Sequence, residues 1–195
     1  MTGTGTSNGC ISVINGIING TGAVIGTAMK TTAEYSEDTS DTVIECGSDD
    51  TLARICVRRT LEHIGAPEVP YRLKIGSEIP PSCGLKSSSS CSNAVIKAVL
   101  DHHGKSMEPL DVVRLGVECS LEAGVTITGS FDDSCGCELG GFIMTDNYAR
   151  RIISRIPVRR RPVIICVPDR IKTRIPRERY AERAADIEKA VSLCR

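Results

Sequence analysis

The alternation of apolar and polar residues divides the chain into strand-like and helix-like segments. Residues 1–48 are rich in Gly, Thr and β-branched residues, which predicts strands joined by tight turns, with TTAEY and DTVIEC as two candidates. Helical spacing replaces this pattern in residues 49–65, where apolar positions recur on one face and Gly65 ends the run. We therefore expect the chain to begin with strands and to continue with helices.

The rest of the pattern predicts one more strand and then mostly helices. Residues 71–80 alternate as a strand does. Helices are expected near 88–102, 108–123, 146–154 and 177–193, and the apolar run at 163–169 predicts a further buried strand. One strand and one helix cannot bury a sheet face alone. We therefore predict a first domain at 1–156 and, at 157–195, a linker followed by the beginning of a second domain.

The charge composition argues against two classes of partner. The chain has 195 residues, 41% of them hydrophobic, with 24 basic and 24 acidic side chains. This balance produces no net field for nucleic acid or for an anionic membrane, so neither is expected as a partner. The apolar segments are too short or too interrupted to span a bilayer, and the N-terminus lacks a signal-peptide pattern, which predicts a cytoplasmic protein.

Ten cysteines and three histidines raise the question of a disulfide framework or a metal site. No CxxC pair occurs, and the histidines do not fall at zinc-ligand spacing from any cysteine pair. We interpret the cysteines as buried free thiols in a reducing cytosol and keep a thiol-based metal protein as a weaker alternative. His102 and His103, at the polar end of a predicted helix, are interpreted as surface residues and not as ligands.

The segment IPPSCGLKSSSSCSNAVIKAVLDHHG, residues 79–104, places Pro, Gly and Ser directly before a helix. Small residues leave backbone N–H groups unblocked, and the first turn of the helix adds N–H groups without an intrahelical partner. Together with the helix dipole, Lys86 and the serine hydroxyls, such a loop suits phosphate and magnesium. A flexible Ser-rich loop that ends in a helix N-cap is the structural alternative.

The spacing in this loop resembles the second motif of the GHMP kinases, the superfamily of galactokinase, homoserine kinase and mevalonate kinase. That motif is Pro, three residues, Gly-Leu, one residue and then two or three Ser, and the form GLKSSS is most similar to the archaeal shikimate kinase branch. The resemblance implies that this segment binds ATP, with Ser88 as a ligand of Mg²⁺. The segment consists of Pro80, Pro81, Ser82, Cys83, Gly84, Leu85, Lys86, Ser87, Ser88, Ser89 and Ser90.

A second stretch, TGSFDDSCGCELGG at 128–141, resembles the acidic segment of the same family, in which an Asp stands some residues before a Gly-Gly pair. The corresponding residue is Asp133, with Asp132 beside it. Taken alone, the two carboxylates would suit a turn or a helix cap. Joined to a phosphate loop they become catalytic candidates, because phosphoryl transfer to an alcohol often uses a carboxylate that accepts the hydroxyl proton.

Two more positions follow from the resemblance. The strand that carries Ile14 and Asn15 is similar to the first motif of the family and implies that Asn15 binds the substrate. Val13 departs from mevalonate-type kinases, which carry a lysine there, and this argues against a lysine-assisted mechanism. Glu122 stands where mevalonate-type kinases have a magnesium-binding glutamate, and an exposed helix-end carboxylate is the alternative.

The resemblance implies an α+β protein with the GHMP kinase fold. Its N-terminal α/β domain would be similar to domain 2 of ribosomal protein S5, and only the start of a ferredoxin-like C-terminal domain would follow. The third, Gly-rich motif of the family does not occur after residue 163. The chain thus resembles a family member truncated at its C-terminus, and a separate chain is one possible source of the remainder.

The activity implied by the resemblance is phosphorylation of the 3-hydroxyl of shikimate by ATP with Mg²⁺, in the biosynthesis of chorismate and aromatic amino acids. Two alternatives stay open. One is another GHMP kinase that acts on homoserine or on a mevalonate-type alcohol. The other is a nucleotide-binding remnant that performs no chemistry.

Overall fold

Two long antiparallel strands at the N-terminus organise the fold. The computed structural model describes residues 1–17, 19–37, 39–47, 49–165 and 183–194. The strands are β1 (Gly3–Ile14), β2 (Thr21–Ser36), β3 (Val43–Glu45), β4 (Arg72–Ser77), β5 (Phe142–Asp146) and β6 (Arg151–Ile156). The helices are α1 (Thr51–Ile64), α2 (Ser87–His102), α3 (Pro109–Glu122), α4 (Phe131–Leu139) and α5 (Ala184–Leu193).

The described strands form one sheet with β2 at its centre. β1 pairs with β2 along one edge, in antiparallel orientation. Along the other edge, residues 21–25 of β2 pair with β5 and residues 31–36 pair with β4, again antiparallel. β3 joins β4 in parallel and β6 joins β5 antiparallel, which gives the order β3-β4-β2-β5-β6 with β1 beside β2. The length of β2 therefore connects the two halves of the sheet.

Helix α2 lies very close to β1, and glycine makes this approach possible. A Cβ added to Gly5 would lie 2.1 Å from the carbonyl oxygen of Ala94, and one added to Gly3 would lie 2.3 Å from that of Ala98. Any other residue at these positions would push the helix away from the sheet. Gly3 and Gly5 therefore serve helix–sheet packing within a strand, whereas the sequence pattern predicted glycines in tight turns.

Two apolar clusters fill the space between the sheet and the helices. The larger one joins α1, α2 and α3 to β2 and β4, around the wholly buried Tyr35 and Leu73. The second joins α3 and α4 to β1, β2 and β5, around Val24 and Phe131. A smaller group forms where Val191 of α5 packs on β1, β2 and β5. These contacts fix α2 and α4, the two helices that carry the predicted motifs.

Most predicted elements up to residue 123 are confirmed, since α1, α2, α3 and β4 lie where expected. The helix predicted at 146–154 is wrong, because these residues form the end of β5, a turn and the start of β6. Arg150 has a φ of 47°, a left-handed conformation that a right-handed helix does not accommodate. Helix α4 was not predicted, because its Asp, Ser, Cys and Gly residues are weak helix formers and only burial selects the helix.

The predictions for the C-terminal region fall partly outside the described residues. Residues 163–165 form no strand, and 166–169 lie outside the described part. Helix α5 confirms the described part of the helix predicted at 177–193. The domain boundary after residue 156, where β6 ends, stays a prediction. Among the described helices, none is long and apolar enough to cross a membrane.

The cysteines behave largely as predicted. No disulfide joins any of the nine cysteines in the described part of the chain. Cys83 is exposed, in contrast to the expectation of burial. The buried thiols are Cys10, Cys56, Cys119, Cys135 and Cys137.

Candidate active site

The loop between β4 and α2 leads the chain from the surface into the core. Residues 81–84 are exposed, whereas Leu85 is buried and its carbonyl accepts a hydrogen bond from β1. Ser82, Gly84 and Lys86 have positive φ values of 62°, 72° and 66°. This left-handed conformation turns the backbone sharply and is strained for Ser and Lys, so the surrounding packing must hold it. The segment is thus a shaped turn and not an extended linker.

The N-terminus of α2 presents backbone amides without intrahelical partners. The first bond of the helix joins the Ser90 amide to the Lys86 carbonyl at 3.0 Å, and no side chain caps the helix. The amides of Ser87, Ser88 and Ser89 therefore precede the hydrogen-bonded ladder. Ser88 is exposed and Ser87 is half-buried, so their hydroxyl groups are accessible. These amides and the positive end of the helix dipole favour an anion here.

The last two serines of the run belong to the core side of the helix. Ser89 is 8% exposed and Ser90 is completely buried. The Ser90 hydroxyl donates a hydrogen bond of 2.9 Å to the Ser7 carbonyl on β1. The structure thus separates the Ser90 side chain from the exposed residues of the predicted ATP-binding segment.

Lys86 links the loop to the acidic helix α4. Its Nζ lies 3.2 Å from Oδ1 of Asp133, and both side chains are largely buried. Helix α4 begins after Ser130, which is also a non-glycine residue in the left-handed conformation, with a φ of 49°. Oδ1 of Asp133 lacks a well-directed hydrogen bond among the described residues. The two predicted motifs therefore meet at one point, where a buried carboxylate oxygen can still accept a hydrogen bond.

Burial controls the ionisation of this pair. Removal from water raises the pKa of Asp133 to about 7, the charge of Asp132 raises it as well, and Lys86 acts in the opposite direction. Burial lowers the pKa of Lys86, but its interaction with Asp133 outweighs that effect and leaves the pKa raised. The lysine therefore stays cationic, while the carboxylate titrates near neutral pH, as a general base should.

Asp132 has a different set of neighbours. Its Oδ1 accepts a hydrogen bond of 2.9 Å from Asn147 Nδ2, and its amide donates one of 3.0 Å to Asn147 Oδ1. The Thr145 hydroxyl donates to the same Asn147 oxygen at 2.7 Å. Burial raises the pKa of Asp132, and the hydrogen bond from Asn147 acts against that rise. Asp132 thus fastens α4 to the segment after β5, and only Asp133 faces Lys86.

A cavity of about 660 Å³ opens beside the loop. Pro81, Ser87 and Ser88 line one side of it, and the other walls come from β4, the start of α1 and the end of α3. This volume is typical of sites for small molecules. A mainly apolar cavity that adjoins unpaired amides suits a molecule with a ring system and a phosphate chain.

Comparison with known proteins identifies relatives of this chain. The family of GHMP kinases N terminal domains matches residues 51–141, a range that includes the loop and α4. The shikimate kinase of Methanothrix thermoacetophila is 38% identical over 200 residues, which cover 100% of this chain and 65% of that protein. The shikimate kinase of Methanosarcina mazei is 36% identical over 205 residues, which cover 95% of this chain and 69% of that protein.

The chain belongs to the archaeal shikimate kinase family of the GHMP kinases. The structure of the mevalonate kinase of Methanococcus jannaschii has a similar fold, with a TM-score of 0.67. The similarity covers 81% of this chain and 56% of that one, at 19% sequence identity. The GHMP kinase fold and the α+β class predicted from the motifs are confirmed. The chain spans about two thirds of the length of the two curated relatives.

Asn15, which the GHMP motif implies as a substrate ligand, lies in the turn after β1. Its Oδ1 accepts a hydrogen bond of 3.1 Å from the Ile17 amide. A Cβ added to the adjacent Gly16 would lie only 2.6 Å from Asn147 Nδ2. This turn therefore packs against the Asp132–Asn147 pair, near the first turn of α4.

Glu122, the second magnesium ligand suggested by the GHMP resemblance, belongs to a group of surface charges. It forms ion pairs with Arg58 and Arg59 of α1, and its side chain is 43% exposed. No hydrogen bond or ion pair joins it to Lys86 or Asp133 among the described residues. These surroundings are typical of a surface ion-pair network, in which the arginines already compensate the carboxylate.

Buried polar contacts that sequence reasoning missed hold α4 against α2. Asn93 Nδ2 donates to the Ser134 carbonyl at 3.1 Å, and the Ser134 hydroxyl donates to Asn93 Oδ1 at 2.9 Å. Asn147 was missed as well. The partners are distant in sequence, and a single Asn or Ser has no spacing that predicts them. Only the packing of the helices shows that these residues set the position of Asp133.

Proposed function

We propose that this chain binds ATP with Mg²⁺ and transfers the γ-phosphoryl group to the 3-hydroxyl of shikimate. The observation that carries the proposal is the 3.2 Å approach of Lys86 to Asp133 beside the unpaired amides of α2. The names of the archaeal relatives support shikimate as the acceptor. All residues of the proposed site lie in the predicted domain 1–156.

The loop and the start of α2 form the ATP-binding half of the proposed site. The amides of Ser87 and Ser88 hold phosphate oxygens, and the adjoining cavity takes the nucleoside. The exposed Ser88 hydroxyl is the proposed magnesium ligand. ATP, when bound, would supply the phosphoryl group, and Mg²⁺ would neutralise negative charge on its phosphates.

Asp133 and Lys86 form the chemical half of the proposed site. Asp133 accepts the proton of the acceptor hydroxyl while that oxygen forms its bond to the γ-phosphorus, the bond from that phosphorus to the β-phosphate breaks, and ADP leaves. Lys86 lies between the loop and α4, so its charge stabilises both the carboxylate and the transferring group. Asp132, through Asn147, holds the first turn of α4 in place, and Asn15 contacts the acceptor from the adjoining turn.

A coupled assay of ADP release tests the proposal, with shikimate, homoserine and mevalonate as acceptors and with calorimetry of ATP binding in parallel. We expect ATP binding and turnover with shikimate only. Turnover with another alcohol instead would change the proposed acceptor, while the proposed kinase activity would stand. Absence of ATP binding would overturn the proposal.

A nucleotide-binding module without catalysis is the second candidate. It is favoured by the lining of the cavity, whose described residues include Ser87 and Ser88 but neither Lys86 nor Asp133. In this case calorimetry would show ATP binding while none of the acceptors increases ADP release. Turnover restored by a separately expressed chain would indicate that a second polypeptide completes the site.

The pH dependence of the reaction provides a further prediction. Because the pKa of Asp133 is raised to about 7, its proton-accepting form is lost as the pH falls through neutrality. We expect kcat/KM for shikimate to fall about tenfold for each pH unit below that value and to level off above it. The measurement is the pH profile of kcat/KM at saturating ATP. A profile that is flat across neutral pH would contradict the role of Asp133 as the base.

A further inference from the structure

Two histidines and a glutamate meet at the end of α2 that is far from the loop. His102 Nε2 lies 3.5 Å from Oε2 of Glu37, and His103 Nε2 lies 3.1 Å from Oε1 of the same carboxylate. One ligand atom from each of the three residues lies within 4.8 Å of the others. Glu37 follows β2, so the contact joins the end of the central strand to the end of the helix.

We propose that Glu37, His102 and His103 form a binding site for Zn²⁺. Imidazole nitrogen and carboxylate oxygen bind zinc at about 2.0–2.2 Å, so two ligands in a tetrahedral site stand about 3.4 Å apart. The two nitrogen–oxygen distances, one to each oxygen of the Glu37 carboxylate, are 3.5 and 3.1 Å and lie near this separation. The side chains are 12–24% exposed, so water can reach the cluster and complete a site that has three protein ligands.

Unpaired nitrogen atoms of the two histidines also support a cation at this position. His102 Nδ1 and His103 Nε2 are buried and have no hydrogen-bond partner among the described residues. His103 Nε2 is close to Glu37 but is not directed at it as a hydrogen-bond donor would be. Unpaired buried polar atoms cost free energy, and a cation that accepts the imidazole lone pair would remove that cost for His103.

Tyr35 supports the cluster from inside the protein. Its hydroxyl donates a hydrogen bond of 3.0 Å to Glu37 Oε1, and its ring is wholly buried. The same ring packs edge-on against His102, with 5.1 Å between the ring centroids. One rigid residue thus orients both the carboxylate and an imidazole, which is the arrangement that outer-shell partners of metal ligands provide.

The position of the cluster separates it from the proposed chemistry. From Ser87 to His102, α2 extends about 22 Å at 1.5 Å per residue. Zinc at this end would fasten the helix to β2 without touching the loop. The inference is therefore independent of the proposed kinase activity, and its expected effect is on stability.

Equilibrium dialysis against Zn²⁺ tests the site in the full chain, prepared without a histidine tag and with a reductant present. We expect about one Zn²⁺ per chain at micromolar free metal, and loss of that ion in Glu37→Gln and in the double variant His102→Asn/His103→Asn. Since these variants keep all ten cysteines, any thiol-bound zinc is common to all samples. His63→Asn changes the third, exposed histidine at the end of α1 and should keep the ion.

Thermal unfolding gives a second readout that does not depend on activity. Free Zn²⁺ about a hundredfold above its Kd should raise the Tm of the wild type and of His63→Asn by roughly 5–10 °C, with no rise in Glu37→Gln. Equal zinc content in the wild type and both cluster variants would overturn the proposal. Absence of bound zinc in the folded wild type would overturn it as well.

Discussion

Replacement of Asp133 by Asn is expected to lower kcat by about 10²- to 10⁴-fold, the range that general-base catalysis contributes. The amide has nearly the same shape as the carboxylate but cannot accept a proton from the acceptor hydroxyl. ATP binding should change little, because the loop amides and Lys86 stay in place. The measurements are kcat in the ADP-release assay and the Kd of ATP by calorimetry, with thermal unfolding as the check of folding.

Two further substitutions show whether the loss of kcat is specific to Asp133. Asp111→Asn, on an exposed ion pair of α3, should leave kcat unchanged. Asp132→Asn should cause a smaller loss than Asp133→Asn, because Asp132 bonds to Asn147 and does not face Lys86. A larger loss in Asp132→Asn than in Asp133→Asn would reverse the assignment of the two carboxylates.

Replacement of Gly5 by Ala is expected to cost about 3 kcal/mol or more of the free energy of unfolding, at or above the upper end of ordinary overpacking. The added Cβ would lie 2.1 Å from the Ala94 carbonyl oxygen and 2.5 Å from the Ala98 nitrogen. Both atoms belong to the backbone of α2, so the helix must move as a whole. The corresponding fall in Tm is roughly 6–12 °C for a domain of this size.

Gly76→Ala is the matched control, since it is also a strand glycine. A Cβ at Gly76 meets nothing within 4 Å, and its φ is not positive. We expect a change within about 0.5 kcal/mol, as for other surface substitutions. If Gly5→Ala and Gly76→Ala unfold at the same temperature, the close approach of α2 to β1 is not the reason for glycine at position 5.

The sequence predicts the local half of the proposed site well. The loop, the start of α2 and the pair of aspartates are contiguous motifs, and contiguous residues keep their spacing in any fold. The amides of Ser87 and Ser88 follow from the position of a helix N-terminus, which small residues and serine mark in the sequence. The same pattern placed Ser90 in the phosphate-binding segment, although its hydroxyl bonds to Ser7 inside the protein.

Helix α4 shows where local reasoning fails. Its sequence FDDSCGCEL has low helix propensity and no clear apolar stripe, yet all but its last two residues are buried. Gly136 lets the helix lie against Cys10 and Val24, and Asn93 binds Ser134 across from α2. Tertiary contacts therefore select a helix where the two aspartates alone predicted a turn or a helix cap.

The sequence by itself determined the family, the α+β class and most elements up to residue 123, because motif spacing and apolar periodicity are local properties of the chain. The tertiary structure alone decided that Asp133, and not Asp132, faces Lys86, and that His102 and His103 meet Glu37. Burial and residues distant in sequence determine the ionisation of these groups and which of their polar atoms lack a hydrogen-bond partner. The spacing of residues in the sequence predicts neither property, since both depend on which helix packs on which strand.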